Sequence, residues 1–400
     1  MMQTWFQASL WLLLALAATL ISVWLKIATA LSEIVVGTVA QLVIGALIGG
    51  AFLGTDQSWV KFLSGTGAMV LTFLAGAELD PAVFKLKWKE ASVVGFASFL
   101  APFLGCTAVA YFVLHWTVAA SWLTGVALST TSVAVVYAVM LEMGLNNTTF
   151  GKTLLAACFI TDLATVIALG LIFAPFTYKT GIFVAVLVVV FLVLPRLTSR
   201  FFSSFGGRPS ELEAKYILLC LFALGGLALW ADSEPVLPAY LVGMVLAGTV
   251  GKDHVLVRRL RTLTFGFLTP FYFIRAGSLV SVPALMGAPA IFLLLLGVKV
   301  FTKFVAVYPA SKFFGNKKME SMYVTLLMST GLTFGSIAAL FGLTHNLIST
   351  AQYSYLIAAV IASAVVPTMI ANAFYMPRHL LAEPAAVTNM PHSAAQGAKA

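Results

Sequence analysis

An all-α polytopic membrane protein of about thirteen transmembrane helices is the fold class this sequence predicts, on three observations. The first is composition: 61% of residues are hydrophobic and 9% charged, with a mean hydropathy of +1.01. A soluble domain carries roughly 25% charged residues, because its surface faces water. This chain lacks the polar material for such a surface and must face lipid over most of its area. The second is a succession of apolar stretches near the length that crosses a bilayer. The third is where the positive charge falls between them.

The stretches run over 7–27, 33–54, 59–79, 91–114, 118–142, 152–175, 179–196, 215–231, 235–250, 263–283, 287–309, 321–342 and 350–375. The ninth is short and follows a proline-rich approach, Pro235 and Pro238. With the N-terminus outside, 18 of the 23 Lys and Arg residues fall in cytoplasmic loops or the tail, against Lys61 and Lys179 opposite. One miscounted helix would invert every later loop, so this asymmetry supports the count and places the C-terminus in the cytoplasm of a cell whose inner membrane holds the chain. The net charge of +9 therefore marks topology, not nucleic acid, and Arg258, Arg259 and Arg261 read as an anchor.

The first stretch has neither a basic leader nor a small-residue cleavage site and reads as a helix, not a signal peptide. Residues 1–376 form one transmembrane domain, followed by a short Ala-rich cytoplasmic tail over 377–400 with no dinucleotide-binding unit. Cys106, Cys158 and Cys220 lie in apolar runs at no metal-ligand spacing, which argues against a disulfide framework or a zinc site. No cofactor is expected.

Polar residues at membrane depth carry the functional signal. Asp162 lies about ten residues into the sixth span, about 15 Å deep at 1.5 Å per residue, near the middle of a ~30 Å hydrocarbon core. A carboxylate there is costly and marks function unless it is locked in a structural pair. Ser129, Thr130, Thr131 and Ser132 run consecutively through the middle of the fifth span and cover all sides of a helix. Hydroxyls so placed satisfy backbone groups freed where a helix unwinds, or back-bond to an intact one. A second mixture of hydroxyls and glycines, Met328-Ser329-Thr330-Gly331-Leu332-Thr333-Phe334-Gly335-Ser336, sits at mid-depth in the twelfth span. The two segments lie in helices seven apart, which cross the membrane in opposite directions, as paired broken helices of inverted repeats do.

Lys299 and Lys303, one turn apart in the eleventh span, share a face. Lys303 stands nearer the cytoplasmic end, where it could snorkel to the interface; a buried lysine beside Asp162 would instead let proton and cation compete for one charged cluster. Arg275, near mid-depth in the tenth span, stays charged and cannot carry a proton. It reads as fixed electrostatic support or as a cap on a helix end. Glu78 and Asp80 read as an interfacial ion-pair cluster with Lys85, Lys87 and Lys89, and Asp232 and Glu234 as outer-loop acids.

Several stretches resemble the bacterial monovalent cation:proton antiporters of the sodium/hydrogen exchanger superfamily, within its Kef/Nap-like branch. LTFLAGAELD (71–80) is similar to that family's FxxGLE signature, and STTSVAVVYAVMLEMG (129–144) to its broken helix. ACFITDLATVIAL (157–169) resembles the ion-binding helix, and TKFVAVYPASK (302–312) the helix bearing the basic partner, which favours Lys303 over Lys299. The resemblance implies two inverted repeats, a core of the spans over about 91–175 and 287–375, and a homodimeric scaffold from the rest. It implies a cation and proton site at Asp162, with Thr161 its neighbour and Thr131, flanked by Thr130 and Ser132, an oxygen ligand. Lys303 would be the charge partner, with Arg275 and Lys299 in support. Electrogenic relatives carry Asp-Asp where this chain has Thr161-Asp162, so one proton per Na⁺ or K⁺ is expected. Many relatives have Arg-Gly-Glu where Thr330-Gly331-Leu332 stands here, which favours a more easily dehydrated ion such as K⁺. The partners so implied are a monovalent cation, protons and the lipid bilayer.

The alternative is a proton- or Na⁺-coupled organic anion carrier on the same fold, motivated by three basic residues in the spans against one deep acid. An intramembrane enzyme is disfavoured because no metal cluster or Ser–His pair shares a depth, and a channel because no continuous polar face runs along the spans.

Overall fold

The computed structural model describes residues 2–25, 28–47, 53–77, 81–143, 145, 148–173, 177–206, 211–231, 233, 235–251 and 253–380. Glu78, Asp80, Asp232, Glu234 and most of the predicted tail lie outside the described residues. Among the described residues the regular structure is entirely helical, as the missing water of a bilayer core requires of any single spanning segment.

The first half runs α1 (Met2–Leu25), α2 (Thr29–Leu47), α3 (Ser58–Ala77), α4 (Pro81–Phe112), α5 (Val118–Ser129), α6 (Val133–Glu142) and α7 (Thr149–Phe173). After α8 (Tyr178–Phe205) come α9 (Leu212–Trp230), α10 (Val236–Leu246), α11 (His254–Leu263), α12 (Thr269–Ser278) and the single turn-and-a-half α13 (Val282–Gly287). The chain closes with α14 (Pro289–Phe313), α15 (Lys318–Met328), α16 (Thr333–Thr344) and α17 (Thr350–Ile370). Nine helical segments among the described residues are long and apolar enough to cross a membrane, counting α15 and α16 as one. The short α2 and α10, the interrupted α5–α6 and the composite α11–α12 occupy the other four predicted spans. Each of the thirteen has its helix.

The tenth span departs furthest from expectation. It begins at His254, not near 263, and joins α12 through a π-helical turn over Thr264–Leu268. Hydropathy missed α11 because the segment is amphipathic: Leu256, Val257 and Leu260 are buried while Arg258 and Arg259 are exposed. Asp253 caps it, its carboxylate accepting from the amides of Val255 and Leu256 at 3.1 and 3.0 Å.

Packing sorts the helices. α4 lies against α5, α7 and α14; α14 against α15 and α17; and α16 against α5 and α17. Their buried side chains join one hydrophobic cluster, which also takes in facing residues of α2, α3, α10 and α12. Separately, α2 packs on α1 and α12, and α3 on α10 and α12. The α3–α10 contact is close because both helices present glycine. A Cβ on Gly243 would overlap the carbonyl of Phe73, and one on Gly76 that of Tyr240. Gly243→Val should therefore force the pair apart and lower the melting temperature of the purified protein by several degrees; an unchanged melting curve would show the contact to be compliant.

Burial is uneven in a useful way. Residues 323–342, across α15 and α16, are all buried, whereas α14 buries five of its 25 residues. On α14 the buried residues are Leu295, Lys299, Lys303, Val307 and Ser311. They recur every fourth residue, a single stripe facing inward, and both lysines stand on it.

Candidate ion-binding site

Two helices stop and restart at mid-length. α5 ends at Ser129 and α6 begins at Val133; α15 ends at Met328 and α16 begins at Thr333. Thr130 leaves the helix in extended geometry (φ −61°, ψ 153°). The amides and carbonyls released by unwinding need partners in a place without water, and the two breaks supply each other. The amide of Ser132 donates to the carbonyl of Thr330 at 3.2 Å, and the hydroxyl of Thr131 donates to the carbonyl of Met328 at 2.8 Å. The breaks thus cross in contact. The Ser132 hydroxyl accepts from the amide of Val135 at 3.4 Å, at the start of α6.

Lys303 completes the fifth-span break. Its ammonium donates to the Ser98 hydroxyl at 2.7 Å, the Ser129 carbonyl at 2.9 Å, the Thr131 hydroxyl at 3.0 Å and the Thr130 carbonyl at 3.5 Å. An ammonium has three donors and needs about this much oxygen when no water reaches it. It also sits at the C-terminal end of α5, where the half-helix dipole favours positive charge. Lys299 donates to the Ser363 hydroxyl of α17 at 3.0 Å, and its ammonium lies against Gly331 of the other break, where a Cβ would overlap it. Both lysines are fully buried, so neither snorkels.

Asp162 lies midway along α7 and is 2% exposed. Its Oδ1 accepts no hydrogen bond. Lys303 is within electrostatic reach, but its hydrogen bonds go to the break, and the two form no ion pair. The carboxylate therefore lies within reach of the Lys303 head yet keeps an oxygen unclaimed, as an exchangeable site requires. Thr161 is also buried, but its hydroxyl donates to the carbonyls of Gly95 and Ala157 at 3.1 Å each, seating α7 on α4. Thr130 back-bonds to the Ala127 carbonyl at 3.2 Å.

Arg275 is placed apart from this cluster. It is 6% exposed, and its Nε donates to the Thr55 carbonyl at 3.0 Å, across from α12 to the segment preceding α3. It lines a cavity of about 450 Å³ bounded by α3, α9, α10, α12 and α16. Sequence inspection missed Ser98 and Ser363, the two hydroxyls that receive the lysines. Each is a lone serine in an apolar run, and only the fold shows which faces a lysine. It also missed Glu33, in α2, which is 2% exposed. It stands at the edge of the second predicted span, where its place in the sequence gives no sign of depth. No group of three metal-ligating side chains forms among the described residues.

Two broken helices crossing beside a buried carboxylate and two buried lysines, inside a polytopic bundle, define a secondary ion transporter of the inverted-repeat type. Residues 12–374 match the family described as "Sodium/hydrogen exchanger, transmembrane". The chain belongs to that family. Similar sequences include the probable Na⁺/H⁺ antiporter 3 of Methanocaldococcus jannaschii, 24% identical over 84% of this chain and 89% of that one. The Na⁺/H⁺ antiporter of Enterococcus hirae is 25% identical over 84% and 91%. The fold is shared with the sodium proton antiporter MjNhaP1 from M. jannaschii, with a TM-score of 0.70 at 15% identity, covering 96% of this chain and 99% of that one. These likenesses establish the exchanger family as a whole, not a Kef/Nap-like branch of it.

Proposed function

We propose that the protein exchanges a monovalent cation, Na⁺ or K⁺, for protons by alternating access, with Asp162 binding either ion in turn. The observation that carries this is the buried Asp162 with its unclaimed Oδ1, within electrostatic reach of the lysine that is bonded to the fifth-span break. A charged, empty carboxylate is expensive to move through a bilayer interior. The loaded forms, protonated or cation-bound, cross readily, and competition for one group then couples the two fluxes. Thr131, Thr130 and Ser132 stand at the break as oxygen ligands, and Lys303 supplies a fixed counter-charge. Thr161 serves as the neighbour that fixes α7.

With one such carboxylate the exchange is one for one and electroneutral. The moving unit is α4–α7 with α14–α17, and the remaining spans form the stationary scaffold of a homodimer. The chain sits in the inner membrane with its N-terminus outside. Both relatives described above carry names for Na⁺/H⁺ exchange, and the organic-anion alternative gains no support from them.

Purified protein in proteoliposomes, followed by a fluorescent pH probe, tests this directly. Na⁺ or K⁺ pulses should drive proton flux that an imposed membrane voltage leaves unchanged. Flux that follows the voltage would overturn the one-for-one stoichiometry, and silence to every monovalent cation would overturn the exchange.

A further inference from the structure

The second half of the chain repeats the first at a nearly constant offset. The breaks lie at 130–132 and 330–332, an offset of 200 residues (130 to 330). The spans after the broken ones, α7 and α17, begin at Thr149 and Thr350, and α4 and α14 end at Phe112 and Phe313, offsets of 201 (149 to 350, 112 to 313). Counting along the chain, the offset of 201 pairs Asp162 with Ser363 and Ser98 with Lys299, and the offset of 200 at the breaks pairs Thr131 with Gly331.

The two halves therefore build the same place twice and fill it differently. In the first, the helix after the break contributes Asp162, a carboxylate with a free oxygen. In the second, the corresponding position is Ser363, fully buried, whose hydroxyl donates to the Val360 carbonyl at 2.8 Å and accepts from the Lys299 ammonium at 3.0 Å. The space for that ammonium exists because residue 331 is glycine. A Cβ on Gly331 would overlap the Lys299 Nζ and would stand 3.0 Å from the Thr130 hydroxyl of the other break. The lysine head thus occupies a concavity between the two broken helices, at the C-terminal end of α15, where a half-helix dipole favours a cation.

We propose that Lys299 is a tethered resident cation: its ammonium permanently fills the second repeat's copy of the ion site. The transporter then keeps one exchangeable cation position, at Asp162, and one plugged by its own side chain. An unfilled polar hollow at this depth would either bind an ion of its own or collapse and uncross the breaks. A lysine from the neighbouring helix supplies the charge without adding a transported ion. Lys299's role in this scheme depends on the repeat geometry and not on which ion Asp162 carries.

Chemical rescue tests it. Lys299→Ala removes Cγ, Cδ, Cε and Nζ, the atoms of propylammonium. Adding propylammonium chloride to the detergent-purified variant should raise its melting temperature by about 2 °C or more over the same concentration of NaCl. It should leave the wild type unmoved, and 1-propanol, the neutral shape match, should fail. Equal stabilisation by propanol, or no response to propylammonium, overturns the proposal. Should Lys299→Ala not assemble, Gly331→Ala decides. In the wild type it pushes on the ammonium and should lower the melting temperature. In Lys299→Met, one atom shorter, the same change should cost clearly less, and equal costs in both backgrounds would overturn the assignment. Because these readouts are thermal, they stand or fall independently of the proton-flux assay.

Discussion

Asp162→Asn should leave a folded protein whose cation-driven proton flux in proteoliposomes falls to the level of empty liposomes. The substitution keeps the side chain's shape and removes both its charge and its ability to take up a proton. No second carboxylate stands in for it there: the titratable side chains that feel its charge are the Lys303 ammonium, the Cys158 thiol and the Tyr240 phenol, and Lys303 is held by four oxygens. The fold should survive because Oδ1 accepts no hydrogen bond that the variant would lose, and an amide costs less to bury than a carboxylate. The melting temperature should therefore equal or exceed that of the wild type. Residual exchange above background, in protein of normal stability, would show that the coupling residue lies elsewhere, with the buried Glu33 the first to examine.

Lys303→Ala should be the most destabilising single change in the core. It strips the donor from the Ser129 and Thr130 carbonyls, both buried beyond the reach of water, and from two hydroxyls. A buried polar group left without its partner costs about 1–3 kcal/mol, and two carbonyls at a helix break have no alternative donor nearby. A loss of about 3 kcal/mol or more follows, and exchange should vanish with it. The check is a melting curve of the detergent-solubilised variant beside flux measurement. A variant that melts with the wild type would mean that the break is held by its own hydroxyls and by α15.

These two expectations separate what the sequence makes legible from what it does not. Hydropathy and the asymmetry of basic residues suffice for thirteen spans, because lipid imposes one rule on every spanning segment. The breaks are legible because hydroxyl and glycine runs in mid-span have few other uses. The amphipathic α11 escapes a window built for uniformly apolar helices. The direction of the lysines is the larger gap. The resemblance pairs Lys303 with Asp162, but the oxygens that its ammonium bonds lie 172 to 205 residues away in the chain, and nothing local in TKFVAVYPASK says which oxygens it will meet. Arg275, Lys299 and Lys303 look alike in the sequence as bases in apolar runs. Only packing sends the first to Thr55, the second to Ser363 and the third to Ser98.

The helix that joins the halves has a different character. In the 28 residues of α8 the buried side chains are Phe183, Leu187, Leu194 and Thr198, and most of the others stand on the surface of the single chain. Such a strap needs apolar surface and reach more than it needs a specific shape. That latitude is what a duplicated ancestor would need. Two copies of one unit inserted in opposite senses require a connector of suitable length before they require a specific one, and the specialisation of Asp162 and Ser363 could then proceed on either side of it.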